Sequence, residues 1–425
     1  MSARANHHAD WRKQAFLGAW TLYAGYYVCR KDMGVSAGAA VWPLAATLVC
    51  FGVAYAIAQL IAGDLADRIG ARKTALIGAG ISAACTALLA WSSHPNLTIF
   101  LEICNGFGQG FGWPALLKLL GGWFQREERA PVLGWWSTSY ILGGLLASSL
   151  TAWLVVQTGV TAGVGFHPAF LISSAILLCT AFFFYRETAD LPRFASEGRK
   201  LSQAVLPGSR LSAWKDLLGN RKIRIISQMY FFLKLTRYTL LFWLPNYLIS
   251  NLGYGMHAAQ HDAAYFELFG FLGPLAVGYA VQRWFGKRHM AVGANMLFAL
   301  AFLCLIHPVL AASGTFGVVL SISLMGILIH GADMLMSGIA VLDTIPPELH
   351  GRAVGLVNAV GSIGQALSPL LVTVYVSHFG WTRLFDLFVL LALVSGVISA
   401  SGIRLETSLT SQPNRSTLES SNLSV

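Results

Sequence analysis

The sequence predicts an all-α membrane protein with the major part of its chain in twelve transmembrane helices, arranged as two six-helix halves. Three observations carry this expectation. Only 11% of the 425 residues are charged and 55% are hydrophobic, whereas an ordinary soluble domain is roughly 25% charged. Apolar runs of about 18 to 25 residues, the length that crosses a bilayer, recur twelve times. A polar, basic stretch with prolines and serines divides them six and six.

The runs fall in order. Met1 to Lys13 is polar, and the run 14–36 is long enough to span, so it reads as an uncleaved first helix rather than a leader. The next five cover 42–63, 74–93, 96–121, 130–156 and 167–185. The fourth carries Gly106, Gly108, Gly110 and Gly112, small residues that let helix backbones approach in lipid. Residues 1–185 therefore form the first half, and 186–223, with Pro192 and Pro207, form a cytoplasmic linker. The second half, 224–403, holds runs at 224–250, 262–282, 290–312, 316–342, 353–377 and 381–403. The tail 404–425 is rich in Ser and Thr and reads as disordered. All six cysteines fall inside apolar runs with no CxxC spacing, which favours packing over disulfides or metal ligation.

The net charge of +10 suggests a polyanion partner until its placement is counted. Of the 29 Lys and Arg, twenty-three lie in alternate loops on one face, only Arg383 lies on the other, and Arg30, Lys31, Lys118, Lys234 and Arg237 fall inside apolar runs. By the positive-inside rule the excess sets orientation, with both termini cytoplasmic. No nucleic-acid partner is needed to explain it.

Each half repeats a loop after its second helix. The first reads from Gly63 through Asp67, Arg68, Gly70, Arg72 and Lys73; the second from Gly278 through Gln282, Arg283, Gly286 and Arg288. A second echo links Glu127-Glu128-Arg129, entering helix 5, with Glu348 to Arg352, entering helix 11. Parallel repeats of this kind place a substrate site between the halves near the bilayer midplane. Plain charge anchoring accounts for the basic residues but not for Gly63, Asp67 and Gly70. This loop resembles the one between the second and third helices of the major facilitator superfamily. Asp67 can accept hydrogen bonds from the start of a neighbouring helix, while Arg68 and Arg72 sit in water and headgroups, so that the loop latches the cytoplasmic side.

Ionisable residues inside apolar helices are costly and usually face a cavity or a partner. Lys118, near the cytoplasmic end of its run, reads as a snorkelling lysine; Glu102 and Asp386, near outer ends, read as interfacial. Arg30 and Arg237 each lie well inside the first helix of their half, which puts one guanidinium on either side of a central cavity. Two facing arginines repel unless an anion sits between them, and their geometry suits phosphate or carboxylate. Tyr23 and Tyr27 precede Arg30 at spacings of seven and three, a stripe that serves either the same anion or packing. Glu267 is the carboxylate available to a nearby cation, with Lys31 as its partner. Lys234 adds a third positive group or reaches back to the cytoplasmic mouth. His330 and Asp333 lie three apart, a spacing open to proton relay or to a structural role.

The segments Tyr26-Tyr27-Val-Cys-Arg30-Lys31, Gly110-Phe-Gly-Trp113-Pro114 and Arg237 to Leu248, with Trp243, Pro245 and Tyr247, closely resemble the organophosphate:phosphate antiporters. That family includes bacterial glycerol-phosphate and hexose-phosphate transporters and sugar-phosphate exchangers of animal endoplasmic reticulum. The likeness runs from helix 1 to about helix 12. It implies that Arg30 and Arg237 coordinate phosphate, that Lys31 and Glu267 form a charge pair linked to transport, and that Tyr23 and Tyr27 match the family tyrosines. A family lysine in helix 2 falls at Gln59, a site histidine in helix 5 at Tyr140, and a helix 7 aspartate at Phe242. Lys234, at a position that is tyrosine in the glycerol-phosphate branch, stands as a replacement for the cation missing at Gln59.

The implied function is exchange of an organic phosphate ester for inorganic phosphate by a monomer in a bacterial inner membrane. No cofactor, metal cluster, nucleotide loop or nucleophile triad appears, so an enzyme is not expected. Proton-linked uptake of another organic anion and membrane sensing of a sugar phosphate remain as alternatives.

Overall fold

The computed structural model describes the backbone of residues 2–36, 44–92, 94–158, 168–189, 210–286 and 288–410. Side chains at 2–9, 31–36, 44–46, 48, 148, 151–152, 154–158, 210 and 407–410 lie outside the described residues. Twelve helical rods follow one another. The first half contains α1 (Ser2–Ser36), α2 (Leu44–Ile69), α3 (Ala71–Leu89), α4 (Pro95–Gln109, resuming as Gly112–Trp123), α5 (Arg126–Thr158) and α6 (Pro168–Glu187). The second contains α7 (Arg221–Leu252), α8 (Met256–Gly270, then Leu272–Ala280 and a π turn Val281–Phe285), α9 (His289–Ala312), α10 (Thr315–Met334, a π turn Leu335–Ile339, then Ala340–Thr344), α11 (His350–Phe379) and α12 (Leu384–Ser401).

Seven of these rods are long and apolar enough to cross a membrane by length and composition alone. Their large apolar side chains face two ways. Trp91, Phe302 and Val397 are exposed on the outside, where lipid covers them, while Trp136, Tyr230 and Tyr247 are fully buried between helices.

Local chemistry sets the ends of the rods. Asn220 caps α7, its side-chain oxygen accepting from the backbone N–H of Lys222 at 3.0 Å and Ile223 at 3.1 Å. Gly70 turns the chain between α2 and α3 at a φ of 100°, a conformation that strains any other residue. The glycine run of α4 allows the close packing its composition predicts: a Cβ on Gly106 would come 2.9 Å from Phe51 and one on Gly110 would come 2.6 Å from Ala58.

The halves meet where α2 packs on α11 and α5 on α8, a symmetrical pair of contacts. Within each half the first helix packs on the fifth, α1 on α5 and α7 on α11. Residues of α1, α2, α4, α7, α8 and α11 line the central cavity. The structure adds a helix to the linker and corrects the expectation for the tail. The linker contains a helix, Arg210–Gly219, with residues 190–209 outside the described residues. The tail is not wholly disordered: Ile403–Thr410 is helical and buries Glu406, whose carboxylate accepts from the backbone N–H of Met290 at 3.0 Å. Residues 411–425 lie outside the described residues.

Candidate functional site

Between the halves lies a cavity of about 470 Å³ whose wall includes Tyr27, Arg30, Phe51, Glu102, Arg237, Tyr238, Phe242, Glu267 and Gln365. Helical spacing explains the assembly. Arg237, Tyr238, Leu241, Phe242 and Pro245 recur at intervals of three and four along α7, and Tyr27 and Arg30 do the same on α1. The two arginines expected from the sequence therefore face one cavity, one from each half.

Their surroundings differ. Arg30 is held by rings, with its Cζ 4.5 Å from the centroid of Tyr55, 5.3 Å from Tyr27 and 5.6 Å from Phe51. Its Nη2 lies 3.4 Å from the Tyr238 hydroxyl. Among the described residues it makes no ion pair. Arg237, 6% exposed, donates from Nη1 to Asp333 Oδ2 at 2.9 Å. Asp333 Oδ1 in turn accepts from the Tyr230 hydroxyl at 2.9 Å, which also has Asn358 Oδ1 at 3.3 Å. The picture of two bare, mutually repelling arginines is thus corrected, because a carboxylate already offsets one of them. Arg237 still presents a buried Nε without a partner, and the buried Tyr140 hydroxyl, whose ring centroid is 5.4 Å from Arg237 Cζ, is also unpartnered. Of the two residues, Arg237 is on the cavity wall.

Lys234 is 4% exposed and donates to Ser362 Oγ at 2.9 Å, which donates to Gln59 Oε1 at 2.9 Å. It does not reach the cytoplasmic mouth. Its ammonium lies 5.6 Å from the Tyr55 centroid, the ring that also contacts Arg30. Gln59 and Lys234 are therefore joined through a single hydroxyl. Tyr27 lines the cavity, whereas Tyr23, 3% exposed, packs behind it among Trp113, Trp136 and Tyr26. Tyr140 bridges Tyr27 and His330, with centroids 5.4 Å and 6.2 Å away. Glu267 faces the cavity; the Lys31 side chain lies outside the described residues. His330 bonds the Gly326 carbonyl through Nδ1 at 2.8 Å, and Asp333 turns instead to Arg237.

Sequence reasoning missed Tyr55, Tyr238, Tyr230, Asn358 and Ser362 as parts of the site, and read Asp333 without its partner. A signal existed for some of them: Phe51, Tyr55 and Gln59 share one face of α2 at successive intervals of four. Nothing in the sequence pairs Asp333 with Arg237 across 96 positions. Glu102, expected at the interface, is 2% exposed and on the cavity wall, because α4 presses against α2 at its glycines. Asp386 keeps its expected exposed setting beside Arg383, at 3.2 Å.

At the end of the bundle that carries the Gly63 to Lys73 loop, that loop joins the two halves. Asp67 accepts from the backbone N–H of Gly351 and of Arg352, both at 2.9 Å, at the start of α11, where the helix dipole favours an anion. Lys118 does not snorkel into water but pairs with Asp67 Oδ1 at 2.5 Å. Arg352 Nε donates to Asp64 Oδ1 at 2.8 Å, and Arg68 lies 3.1 Å from Asp64 Oδ2. Gly63 is required by contact, since a Cβ there would come 2.3 Å from the Gly351 carbonyl oxygen. Arg72 is held at the Tyr185 carbonyl and ring rather than free in headgroups. In the second half Gln282 Nε2 donates to the Glu127 carbonyl at 3.0 Å, and a Cβ on Gly278 would come 2.6 Å from the Ala130 carbonyl oxygen.

The chain matches the Major Facilitator Superfamily over residues 15–263 and 227–423, two overlapping matches that between them take in both halves. It is 25% identical to the glycerol-3-phosphate transporter of Bacillus subtilis over 403 residues, covering 89% of each chain. It is 26% identical to the membrane sensor protein UhpC of Salmonella typhimurium, over 91% of this chain and 90% of that one. The glucose-6-phosphate exchanger SLC37A2 of Danio rerio is 27% identical over 80% of this chain and 75% of its own. Among solved structures, the proton:xylose symporter XylE bound to 6-bromo-6-deoxy-D-glucose superposes with a TM-score of 0.71 at 14% identity, over 94% and 96% of the two chains.

Proposed function

The chain belongs to the major facilitator superfamily, and on that premise we propose that it is a carrier, not an enzyme, that transports an organic phosphate ester in exchange for inorganic phosphate. The reading rests on one arrangement: an arginine from each half on a common cavity, with Arg30 held only by rings and Tyr238 among the described residues, and with unpartnered donors at Arg237 Nε and the Tyr140 hydroxyl. Relatives named for glycerol-3-phosphate and glucose 6-phosphate support the same chemistry.

The mechanism follows from charge. A bound phosphate accepts from both guanidiniums, draws the halves together and lowers the barrier to alternating access. Without it, Arg30 stays as a buried positive group on the cavity wall with no ion pair among the described residues, and reorientation of the empty carrier is disfavoured. Exchange is the natural outcome of that difference. The Asp67 latch holds the cytoplasmic face shut in one state, and its release opens the other. The protein acts as a monomer in a bacterial inner membrane, with both termini cytoplasmic in keeping with the distribution of Lys and Arg.

Counterflow of radiolabelled phosphate in proteoliposomes tests the proposal. Internal phosphate or a phosphate ester is expected to stimulate uptake. The absence of trans-stimulation by any phosphate ester defeats exchange. Saturable binding without flux would support the sensor reading that the UhpC relative suggests.

A further inference from the structure

Tyr238 touches both arginines of the cavity. It is 7% exposed, follows Arg237 on α7, and is on the same wall as Arg30 and Arg237. Its hydroxyl oxygen lies 3.4 Å from Arg30 Nη2, a contact between the two halves across 208 positions. Its ring centroid lies 5.6 Å from Arg237 Cζ. Beyond these two residues, the α7 side chains on the wall, Leu241, Phe242 and Pro245, are apolar. The hydroxyl of this stripe therefore stands beside the guanidiniums and nowhere else along it.

The neighbouring arginine fixes how this hydroxyl is used. A guanidinium only donates, so in the contact with Arg30 the tyrosine oxygen accepts. The hydroxyl proton has no acceptor among the described residues. At 3.4 Å the arginine contact is also longer than the usual N–H···O range, which leaves the hydroxyl able to turn toward a ligand. Packing alone does not explain the oxygen. A phenyl ring fills the same space, as Phe242 does with its centroid 5.7 Å away, and a largely buried O–H without an acceptor is a cost.

Two guanidiniums and one hydroxyl thus converge on the same part of the wall. A phosphate monoester presents three terminal oxygens in a tetrahedral arrangement, while a carboxylate presents two in a plane. The guanidiniums serve two oxygens in either ligand; the phosphate alone has a third. From this geometry we infer that Tyr238 binds the phosphate directly and sets the preference for a phosphate over a carboxylate. Without phosphate its oxygen accepts from Arg30, and with phosphate its O–H donates to the third phosphate oxygen. The inference rests on the phosphate-transport reading above and adds the group that selects the substrate.

Tyr238→Phe in the full-length protein keeps the ring and removes only the hydroxyl. Inhibition of radiolabelled phosphate counterflow in proteoliposomes is measured with unlabelled phosphate, glycerol 3-phosphate and glycerate, the last a carboxylate of similar size. The inhibition constants for phosphate and glycerol 3-phosphate should rise about tenfold, the effect of one charge-assisted hydrogen bond. The constant for glycerate should stay within about twofold, and the unfolding temperature without phosphate should not change. Phosphate constants that also stay within about twofold overturn the inference, because the ring then suffices. An equal rise for glycerate overturns it too, because Tyr238 then acts only by placing Arg30. If glycerate inhibits neither protein, the loss for phosphate decides alone. If the variant transports too slowly to assay, the same ligands are compared by the shift each causes in the unfolding temperature in detergent. If phosphate neither binds nor exchanges in the unsubstituted protein, the transport reading falls, and the inference with it.

Discussion

The two arginines occupy matching places in the two halves yet live in different electrostatic settings. Arg30 is surrounded by the rings of Tyr27, Phe51 and Tyr55 and makes no ion pair among the described residues. Arg237 is anchored by Asp333, which is itself held by Tyr230. The cytoplasmic loops differ the other way round. In the first half Asp67 collects two backbone N–H groups and Lys118, whereas in the second Gln282 makes one neutral hydrogen bond to the Glu127 carbonyl. A duplicated scaffold thus keeps its steric requirements twice, at Gly63 and Gly278, but concentrates charge once per level. The first half carries the charged loop contact and the arginine without an ion pair among the described residues. The second half carries the arginine paired with Asp333 and the neutral loop contact, with extra charge supplied by Arg126 and Arg129 on Asp343 at 3.3 Å.

This contrast is easiest to break at Arg237. Arg237→Gln should abolish phosphate binding and also destabilise the protein by about 3–5 kcal/mol, because it strands Asp333 as a buried charge. Thermal unfolding in detergent measures the second effect. Arg30→Gln should abolish phosphate-induced thermal stabilisation equally, yet leave the unfolding temperature without phosphate unchanged, since no carboxylate among the described residues loses a partner. Equal destabilisation by the two variants would erase the proposed difference.

The loops give the next effects in size. Asp67→Asn removes the charge that Lys118 and the α11 N–H groups share, a loss of roughly 1.5–3 kcal/mol from the closed state. Transport should fall by about tenfold or more, and a cysteine placed on the cytoplasmic vestibule should label faster. Gln282→Leu removes a single neutral hydrogen bond, about 0.5–1.5 kcal/mol, and should change transport only a fewfold. The smallest effect is expected at Ser362→Ala, which cuts the link from Lys234 to Gln59 and should cost about 1 kcal/mol of stability.

Much of this was legible in the sequence. Twelve apolar runs and the six-and-six division follow from composition, because a bilayer punishes any other arrangement of apolar length. The Gly63 to Lys73 loop was readable because its glycines and aspartate answer to local geometry. The two arginines were readable because a guanidinium inside an apolar helix has few explanations. The reading went wrong where a partner came from a distant helix. Lys118 lies near a helix end in sequence and beside Asp67 in space, across 51 positions, so its role was invisible to a linear scan. Glu102 looked interfacial by counting from the end of its run, but the glycines of α4 draw it against α2 and onto the cavity.

What the sequence determined by itself was the class of the protein, its two six-helix halves, the loop that joins them and a cation on the first helix of each half. These depend on hydropathy, on periodicity and on residues whose cost in lipid is large wherever they sit. Only the tertiary structure decided which of those cations is neutralised and that Lys234 reaches Gln59 through Ser362. The physical reason is range: burial and helix spacing are properties of a segment, whereas the charge balance of a site depends on the side chains within a few ångströms, and these come from helices far apart in the chain.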